Sequence, residues 1–122
     1  MSLRTAVRHA LASADEVAAD EERHEAAANR GCRPVADLAD RRRAGVAGVL
    51  RSVVLRPREG VPTVEAELYD GSGSLDLVWL GRRTIAGVEP GRRIRVEGMV
   101  CDVGGRRTMF NPRYELRARA GE

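Results

Sequence analysis

The stretch DGSGSLDLVWLG, residues 70–81, constrains the fold of this chain more than any other segment. Asp-Gly followed by Ser-Gly provides two positions that tolerate a positive φ, so a tight turn is expected at its start. Leu75, Leu77 and Trp79 then recur at every second position, which is the period of a half-buried β-strand. The preceding residues 64–69 alternate in the same way, so the two runs are predicted to pair as a hairpin.

A long apolar run, AGVAGVLRSVVLR at residues 44–56, precedes this hairpin and also has the period of a strand. Gly45 and Gly48 would let it bend sharply, as is required of a strand shared by the two sheets of a small barrel. The loop after it, residues 56–62, contains two prolines and a glycine. We therefore expect this run to be the first strand of a barrel.

Two more strand-like runs follow the hairpin, after an insert without alternation. The fourth predicted strand occupies residues 93–100, and the Gly-Gly pair within residues 103–106 predicts a tight hairpin turn. The fifth predicted strand, residues 107–116, contains Pro112, which cannot donate a ladder hydrogen bond and so marks an edge or an exit.

Five predicted strands with a long bent first strand favour a mainly β protein, a five-stranded OB-fold Greek-key barrel preceded by an N-terminal α-helical segment. An SH3-like small barrel is the alternative on pattern alone. The predicted division is residues 1–42 for the helical segment and linker, 43–117 for the barrel and 118–122 for a tail. The expected core residues are Leu75, Leu77, Trp79, Ile94, Val96 and Val100.

Residues 2–30 are predicted to be helical, with a capping-box pattern at Ser13 and Glu16 that would start a second helix there. Residues 15–25 hold six acids against one arginine, so this helix could lie over the arginine loops of the barrel and compete with nucleic acid. It could also simply lie on the barrel, form a partly frayed arm, or dock a protein partner or a second copy of the chain. In the linker, Val35 and Leu38 are candidate plugs for an open barrel end.

The charge of the chain is unevenly distributed. All 21 basic residues are arginines, and the net charge is +3. Residues 1–40 carry 5 arginines against 8 acids, whereas residues 41–122 carry 16 against 10, so the second part is the better partner for a polyanion. No apolar run approaches the roughly 20 residues that span a bilayer, and no signal-peptide pattern is present, so a cytoplasmic protein without membrane contact is expected.

No pattern of catalytic, metal-binding or cofactor-binding residues stands out, so an enzyme is not expected. Cys32 and Cys101 have neither CxxC nor Cys/His spacing and are predicted to be reduced and structural. His9 and His24 lack ligand-spaced companions. The Gly-rich DGSGS stretch lies between strands, and we interpret it as a turn, not as a phosphate-binding loop.

Three stretches, DGSGSLDLVWLG, EPGRRIRVEG and the closing NPRYEL, resemble the OB-fold wedge domain of the branch-migrating helicase RecG and related anticodon-binding-type OB domains. The chain also resembles stand-alone bacterial OB-fold proteins that bind nucleic acid. The resemblance covers residues 43–117 and implies an OB fold and nucleic-acid binding, but no helicase activity, because the chain lacks a motor. Trp79-Leu80 stands where the family has two aromatic residues, Gly81 replaces its Asn, and residues 111–113 replace His-Pro-Glu.

OB folds bind ligands on the outer face of the middle strands and in the loops that join strands 1 to 2 and 4 to 5. Arginines placed there can bind phosphates and stack on bases. Tyr69 is the preferred stacking residue, although Glu65 and Glu67 beside it would repel a phosphate track. The predicted nucleic-acid-binding residues are Arg51, Arg56, Arg58, Tyr69, Arg82, Arg83, Arg106, Arg107 and Arg113.

The sequence therefore favours a small module that binds single-stranded or branched DNA, or RNA, through charge and with weak sequence preference. Only four aromatic residues are present, fewer than a strand-binding OB domain normally exposes. The alternative is a protein-interaction adaptor that uses the barrel face or the N-terminal helix.

Overall fold

The computed structural model describes residues 3–118, and within that range it describes no side chain of residues 5–12. The side chain of His9 and most of the predicted tail, residues 119–122, lie outside the description. The described elements are the helix α1 (Leu3–Ala27), a short 3-10 segment (Val35–Asp37) and the strands β1 (Arg43–Leu55), β2 (Thr63–Tyr69), β3 (Ser74–Leu80), β4 (Arg93–Met99), β5 (Cys101–Val103), β6 (Arg106–Phe110) and β7 (Arg113–Leu116).

The long strand β1 organises the sheet, as predicted. Residues 43–49 pair antiparallel with β4, and residues 49–55 pair antiparallel with β2. The register shifts between Leu50 and Ser52, so the β-bulge lies a few residues after Gly45 and Gly48, the glycines that were expected to bend the strand. Gly48 allows the backbones of β1 and β2 to approach closely, because a Cβ at this position would lie 2.5 Å from the carbonyl oxygen of Tyr69.

The structure has seven strands where the sequence predicts five. The predicted fourth strand is interrupted at Val100, and the predicted fifth is divided at Asn111, which has a φ of 49°, and Pro112. The strand order is β5-β6-β3-β2-β1-β4-β7, with β6 parallel to β3. The ladder does not close, so a five-stranded barrel is not confirmed; the sheet is consistent with an OB-like fold.

The apolar core lies between the inward faces of the strands, and all six predicted core residues are buried. The indole nitrogen of Trp79 donates to the carbonyl oxygen of Pro112 at 3.2 Å, and its ring meets Tyr114 edge-on with centroids 5.8 Å apart. Val35 and Leu38 are buried in this core, as the prediction that they act as plugs requires. In the insert between β3 and β4, Ile85 is a further buried plug.

The DGSG segment is a turn, as predicted, and its carboxylate also holds the linker. Asp70 is 1% exposed and accepts hydrogen bonds from the backbone nitrogens of Ser72 at 2.9 Å, Gly73 at 3.2 Å and Val35 at 2.8 Å. The hydroxyl of Ser72 adds a fourth bond at 2.7 Å. Because the carboxylate occupies these donors, the turn amides are not open to a phosphate.

The backbone of residues 31–42 forms hydrogen bonds with backbone N–H and C=O groups that the strand ladders leave unpaired. Arg33 N donates to Gly45 O at 2.8 Å. Arg41 N donates to Val100 O at 2.7 Å, and Val100 N donates to Arg42 O at 2.9 Å. The linker therefore supplies partners at the interruption between β4 and β5.

The helix α1 is continuous, so the second helix predicted to begin at Ser13 is wrong; Ala and Glu around that position favour an unbroken helix. Its C-terminal half packs on the sheet, where the carboxylate of Glu22 accepts two bonds from the Arg93 guanidinium at 2.8 and 3.0 Å. This bond raises the pKa of Arg93. Arg23 also donates to Gly71 O at 2.8 Å. Gly71 has a φ of 87°, and any larger residue there would place its Cβ against the helix backbone.

The helix therefore lies against β1, Arg93 of β4 and the β2–β3 turn, and its predicted position over the arginine loops is wrong. Glu22, one of the six acids of residues 15–25, is held by Arg93 of β4 instead. Among residues 3–118, no helix combines the length and the apolar character needed to cross a lipid bilayer.

Candidate nucleic-acid interface

A groove crosses the outer face of β1, β2 and β3 between the β1–β2 loop and the β5–β6 hairpin. Its volume is about 440 Å³. This is the position at which the OB fold takes its ligands. We call it the groove, and its lining consists of Ser52, Val54, Arg56, Arg58, Glu65, Ala66, Glu67, Asp76, Val78, Val103, Arg106, Thr108 and Phe110.

Strand register brings the groove side chains together. Ser52 lies opposite Glu67 and Val54 lies opposite Glu65, because β1 and β2 pair antiparallel after the bulge. Since side chains alternate along a strand, the bulge at residue 51 decides which side chains of β1 face the groove, and these are Ser52 and Val54. The groove therefore depends on a register that the apolar pattern alone does not specify.

The loop arginines of the groove are paired with an acid of β2. Arg58 contacts the Glu65 carboxylate at 2.7 Å, and Arg56 lies 3.8 Å from the same carboxylate. The side chains of both arginines are well exposed, at 44% and 67%, whereas that of Glu65 is 19% exposed. The positive charge of the β1–β2 loop is thus partly neutralised inside the molecule.

The arginine of the β5–β6 hairpin is paired as well. Arg106 forms a two-point contact with the Asp76 carboxylate, at 2.6 and 2.9 Å, and this hydrogen bond raises the pKa of the guanidinium. The parallel pairing of β3 and β6 sets up the contact, since Asp76 lies opposite Thr108 in that register. The groove lining contains three arginines and three carboxylates, so its formal charge is zero.

Apolar side chains form the rest of the groove. Val54, Val103 and Phe110 are 42%, 45% and 38% exposed, and Phe110 is the aromatic residue of the lining. Tyr69, the preferred stacking residue from the sequence, lies outside this lining, and the guanidinium carbon of Arg51 lies 3.3 Å from its ring centroid. One face of that ring is therefore already occupied by a cation.

The structure divides the predicted arginine cluster. Three of the predicted arginines line the groove: Arg56, Arg58 and Arg106. The side chain of Arg107 lies on the opposite face of β6 and donates to Ala36 O at 3.2 Å. Arg107 was expected beside its neighbour, and strand alternation is the reason that the expectation is wrong. The remaining predicted arginines lie outside the groove lining: Arg82 and Arg83 in the exposed turn after β3, and Arg113 at the start of β7 beside Arg95 and Tyr114.

A second arginine-rich surface, which the sequence did not predict as a site, lies where the linker meets the first residues of β1 and the later residues of β4. Two adjoining depressions there have volumes of about 290 and 370 Å³. The run Arg41-Arg42-Arg43 is its visible sequence signal. We call this surface the linker face, and its lining consists of Gly31, Arg33, Asp37, Leu38, Ala39, Arg42, Arg43, Ala44, Gly45, Arg95 and Glu97.

Arg95 is the fixed centre of the linker face. Its Nε donates to the Cys32 sulfur at 3.3 Å, and one terminal nitrogen donates to Arg30 O at 3.4 Å. The bond to Cys32 raises the pKa of Arg95. Neutral groups thus hold this guanidinium in place, and no ion pair within 4.0 Å among the described residues involves Arg33, Arg42, Arg43 or Arg95.

The part of the chain that the structure describes contains no metal-binding cluster and no disulfide. No group of three or more His, Cys, Asp or Glu side chains there could hold a metal ion. Cys32 and Cys101 are free thiols, and His24 contacts the carbonyl oxygen of Asp20 at 2.8 Å.

Comparison with solved structures identifies the fold as OB-like. A structure of RecG bound to a three-way DNA junction superposes with a TM-score of 0.61 and 21% identity, covering 76% of this chain but 13% of that chain. The replication factor A related protein from Methanobacterium thermoautotrophicum superposes with a TM-score of 0.54 and 15% identity, covering 72% of this chain and 92% of that chain. No protein-family model and no curated protein matches the chain significantly. The resemblance to OB-fold domains is thus confirmed at the level of the fold.

Proposed function

We propose that this protein is a nucleic-acid-binding OB-fold module, not an enzyme, and that its groove holds a single-stranded or branched polynucleotide. The observation that carries the proposal is the groove itself, with Arg56, Arg58, Arg106 and Phe110 on the ligand-binding face of the fold. Such a module combines cationic contacts to the backbone with a ring for stacking.

The ion pairs of the groove do not exclude phosphate binding. Exposed pairs of this kind stabilise a protein by only ~0–1 kcal/mol, so a phosphate can replace the carboxylate as the partner of an arginine at small cost. The side chain of Arg106 is 60% exposed, which leaves it accessible for such an exchange. The resulting binding is electrostatic and weakly selective for sequence.

Both solved neighbours support a nucleic-acid partner. RecG was solved on a DNA junction, and the second neighbour is related to a replication factor. The choice among single-stranded DNA, branched DNA and RNA, the cytoplasmic location and the bacterial origin expected from the sequence belong to this proposal as predictions.

Fluorescence anisotropy with a labelled single-stranded oligonucleotide tests the proposal. The wild-type protein should bind at low salt, and the slope of log affinity against log salt should fall by ~0.7 per phosphate contact removed in Arg58→Ala and Arg106→Ala variants. An Arg4→Ala variant, altered on the far end of the helix, is the matched control. Equal affinity at low and high salt, or no binding at low salt, would refute the proposal.

The second candidate is a protein-interaction adaptor, favoured by the zero formal charge of the groove lining and the exposure of Val54, Val103 and Phe110. Apolar surface flanked by paired charges also suits a peptide or protein partner. Absence of oligonucleotide binding at low salt, with the fold intact by circular dichroism, would favour this candidate.

A further inference from the structure

We infer that the linker face is a second contact surface for the phosphate backbone of a polynucleotide, at the end of β1 away from the groove. The inference rests on the proposed function, because it assigns a further surface to the same ligand. The lining of the linker face contains four arginines against Asp37 and Glu97, so its formal charge is +2, whereas that of the groove lining is zero.

The state of the guanidiniums favours phosphate as the ligand. Arg33, Arg42 and Arg43 are exposed and, among the described residues, take part in no ion pair. A phosphate can therefore bind them without displacing a carboxylate, which is the step that every groove arginine requires. Planar guanidiniums also bind phosphate oxygens at two points.

Arg95 provides a pre-positioned donor at the centre of this surface. Cys32 and the carbonyl oxygen of Arg30 hold its side chain, so little rotamer freedom remains to be lost when a ligand binds. Cβ atoms at Gly31 and Gly45 would lie 3.5 and 3.7 Å from its terminal nitrogen, so the backbone passes close to the guanidinium. Tight backbone packing and neutral hydrogen-bond partners fix the guanidinium, and the carboxylates of Glu97 and Glu115 attract it without forming an ion pair within 4.0 Å among the described residues.

The two surfaces are close enough for one polynucleotide to reach both. Arg43 begins β1 and Val54 lies next to its end, which places them at most about 36 Å apart along the strand at ~3.3 Å per residue. OB folds bind roughly 4–16 nucleotides, so a strand at the long end of this range could contact both surfaces. The linker face would add affinity through charge alone.

A double variant, Arg42→Ala with Arg43→Ala, tests this inference on the full chain. With a labelled oligonucleotide of about 20 nucleotides, two lost contacts should lower the salt slope by ~1.4, so wild type should lose about sevenfold more affinity than the variant between about 50 and 200 mM salt. The Arg4→Ala/Arg117→Ala variant removes the same charge from exposed positions outside both surfaces and is the control. Circular dichroism checks that each variant is folded, and Arg42→Lys/Arg43→Lys should retain the wild-type slope.

The outcomes separate the two proposals. A slope that falls in the linker variant and much less in the control supports the linker face as a backbone contact. An unchanged slope, or a fall equal to that of the control, overturns this inference while leaving the groove proposal to its own variants. Failure of wild type to bind at low salt overturns both.

Discussion

The groove and the linker face use the same side chain in opposite electrostatic states. The three groove arginines pair with two carboxylates: Arg56 and Arg58 share Glu65, and Arg106 contacts Asp76 at 2.6 Å. On the linker face, Arg95 is held by a thiol and a carbonyl oxygen, and its arginine neighbours have no ion pair among the described residues. Arginine content alone is thus a poor guide to where a polyanion binds; the partners already present decide it.

This contrast follows from the way each surface is built. The groove is built on paired strands, whose register places Asp76 near the hairpin arginine and Glu65 near the loop arginines. The linker face is built on irregular backbone laid against β1, and its strand acid, Glu97 of β4, forms no ion pair among the described residues. Changing the partners on one surface should therefore make it behave like the other.

The largest expected effect concerns the attachment of the linker. Asp70→Ala removes an acceptor of four hydrogen bonds and leaves buried donors such as Val35 N unsatisfied, so the free energy of unfolding should fall by about 3 kcal/mol. Chemical denaturation measures the loss, and hydrogen exchange should show faster exchange at Val35 than in the groove strands.

Asp102→Ala is the matched control for this change, because Asp102 accepts a bond from Gly105 N in an exposed turn. Its effect should stay below about 1 kcal/mol. A similar loss in both variants would mean that the linker does not depend on the Asp70 carboxylate.

Neutralising the groove acids should convert the groove into an arginine surface like the linker face. A Glu65→Gln/Asp76→Asn variant should bind a single-stranded oligonucleotide about tenfold more tightly at low salt, equivalent to about 1.4 kcal/mol, and with a steeper salt slope. Glu16→Gln/Glu21→Gln on the exposed helix makes the same change in net charge. Equal gains in the two variants would show that net charge, not local pairing, limits binding.

Phe110 should contribute to binding by stacking on a base. This contribution would distinguish the groove from the linker face, whose lining contains no aromatic residue. Phe110→Ala should weaken oligonucleotide binding by about 1 kcal/mol, at the low end of base stacking, without changing the salt slope. Leu80→Ala, an exposed apolar position outside the groove lining, is the control. A change in slope with Phe110→Ala would contradict a purely stacking role.

The smallest effect is expected on stability when a groove ion pair is removed. Arg106→Ala should change the free energy of unfolding by no more than ~0–1 kcal/mol, because the pair with Asp76 is exposed on the arginine side. Thermal unfolding of wild type and variant would check this. A loss well above that range would mean that the groove pairs are structural and not available for exchange with phosphate.

The sequence predicts what depends on side-chain alternation within one strand. The burial of Leu75, Leu77 and Trp79, the glycine turn before them and the shared first strand follow from period-2 patterning and turn chemistry. The division of the last strand at Asn111-Pro112 was only partly predicted, since proline marks an exit but does not reveal that the chain resumes pairing with β4.

The candidate site was less predictable, because it depends on contacts between distant segments. The pairing of Arg106 with Asp76 requires the parallel register of β3 and β6, which no local pattern contains. Arg107 was assigned to the site by proximity in sequence, although alternation could have separated it from its neighbour. The run Arg41-Arg42-Arg43 is visible in the sequence, but only the fold brings Arg33 and Arg95 beside it.

The backbone bonds that residues 31–42 make with Val100 and Gly45 have a consequence for how the molecule can be dissected. A fragment that begins at residue 43 would uncover strand groups that the linker now satisfies, and such bare edges recruit other chains into intermolecular sheets. A fragment that begins at residue 31 keeps those groups covered while omitting α1. The smallest piece that stays monomeric in solution should therefore begin within the linker, ahead of the first strand.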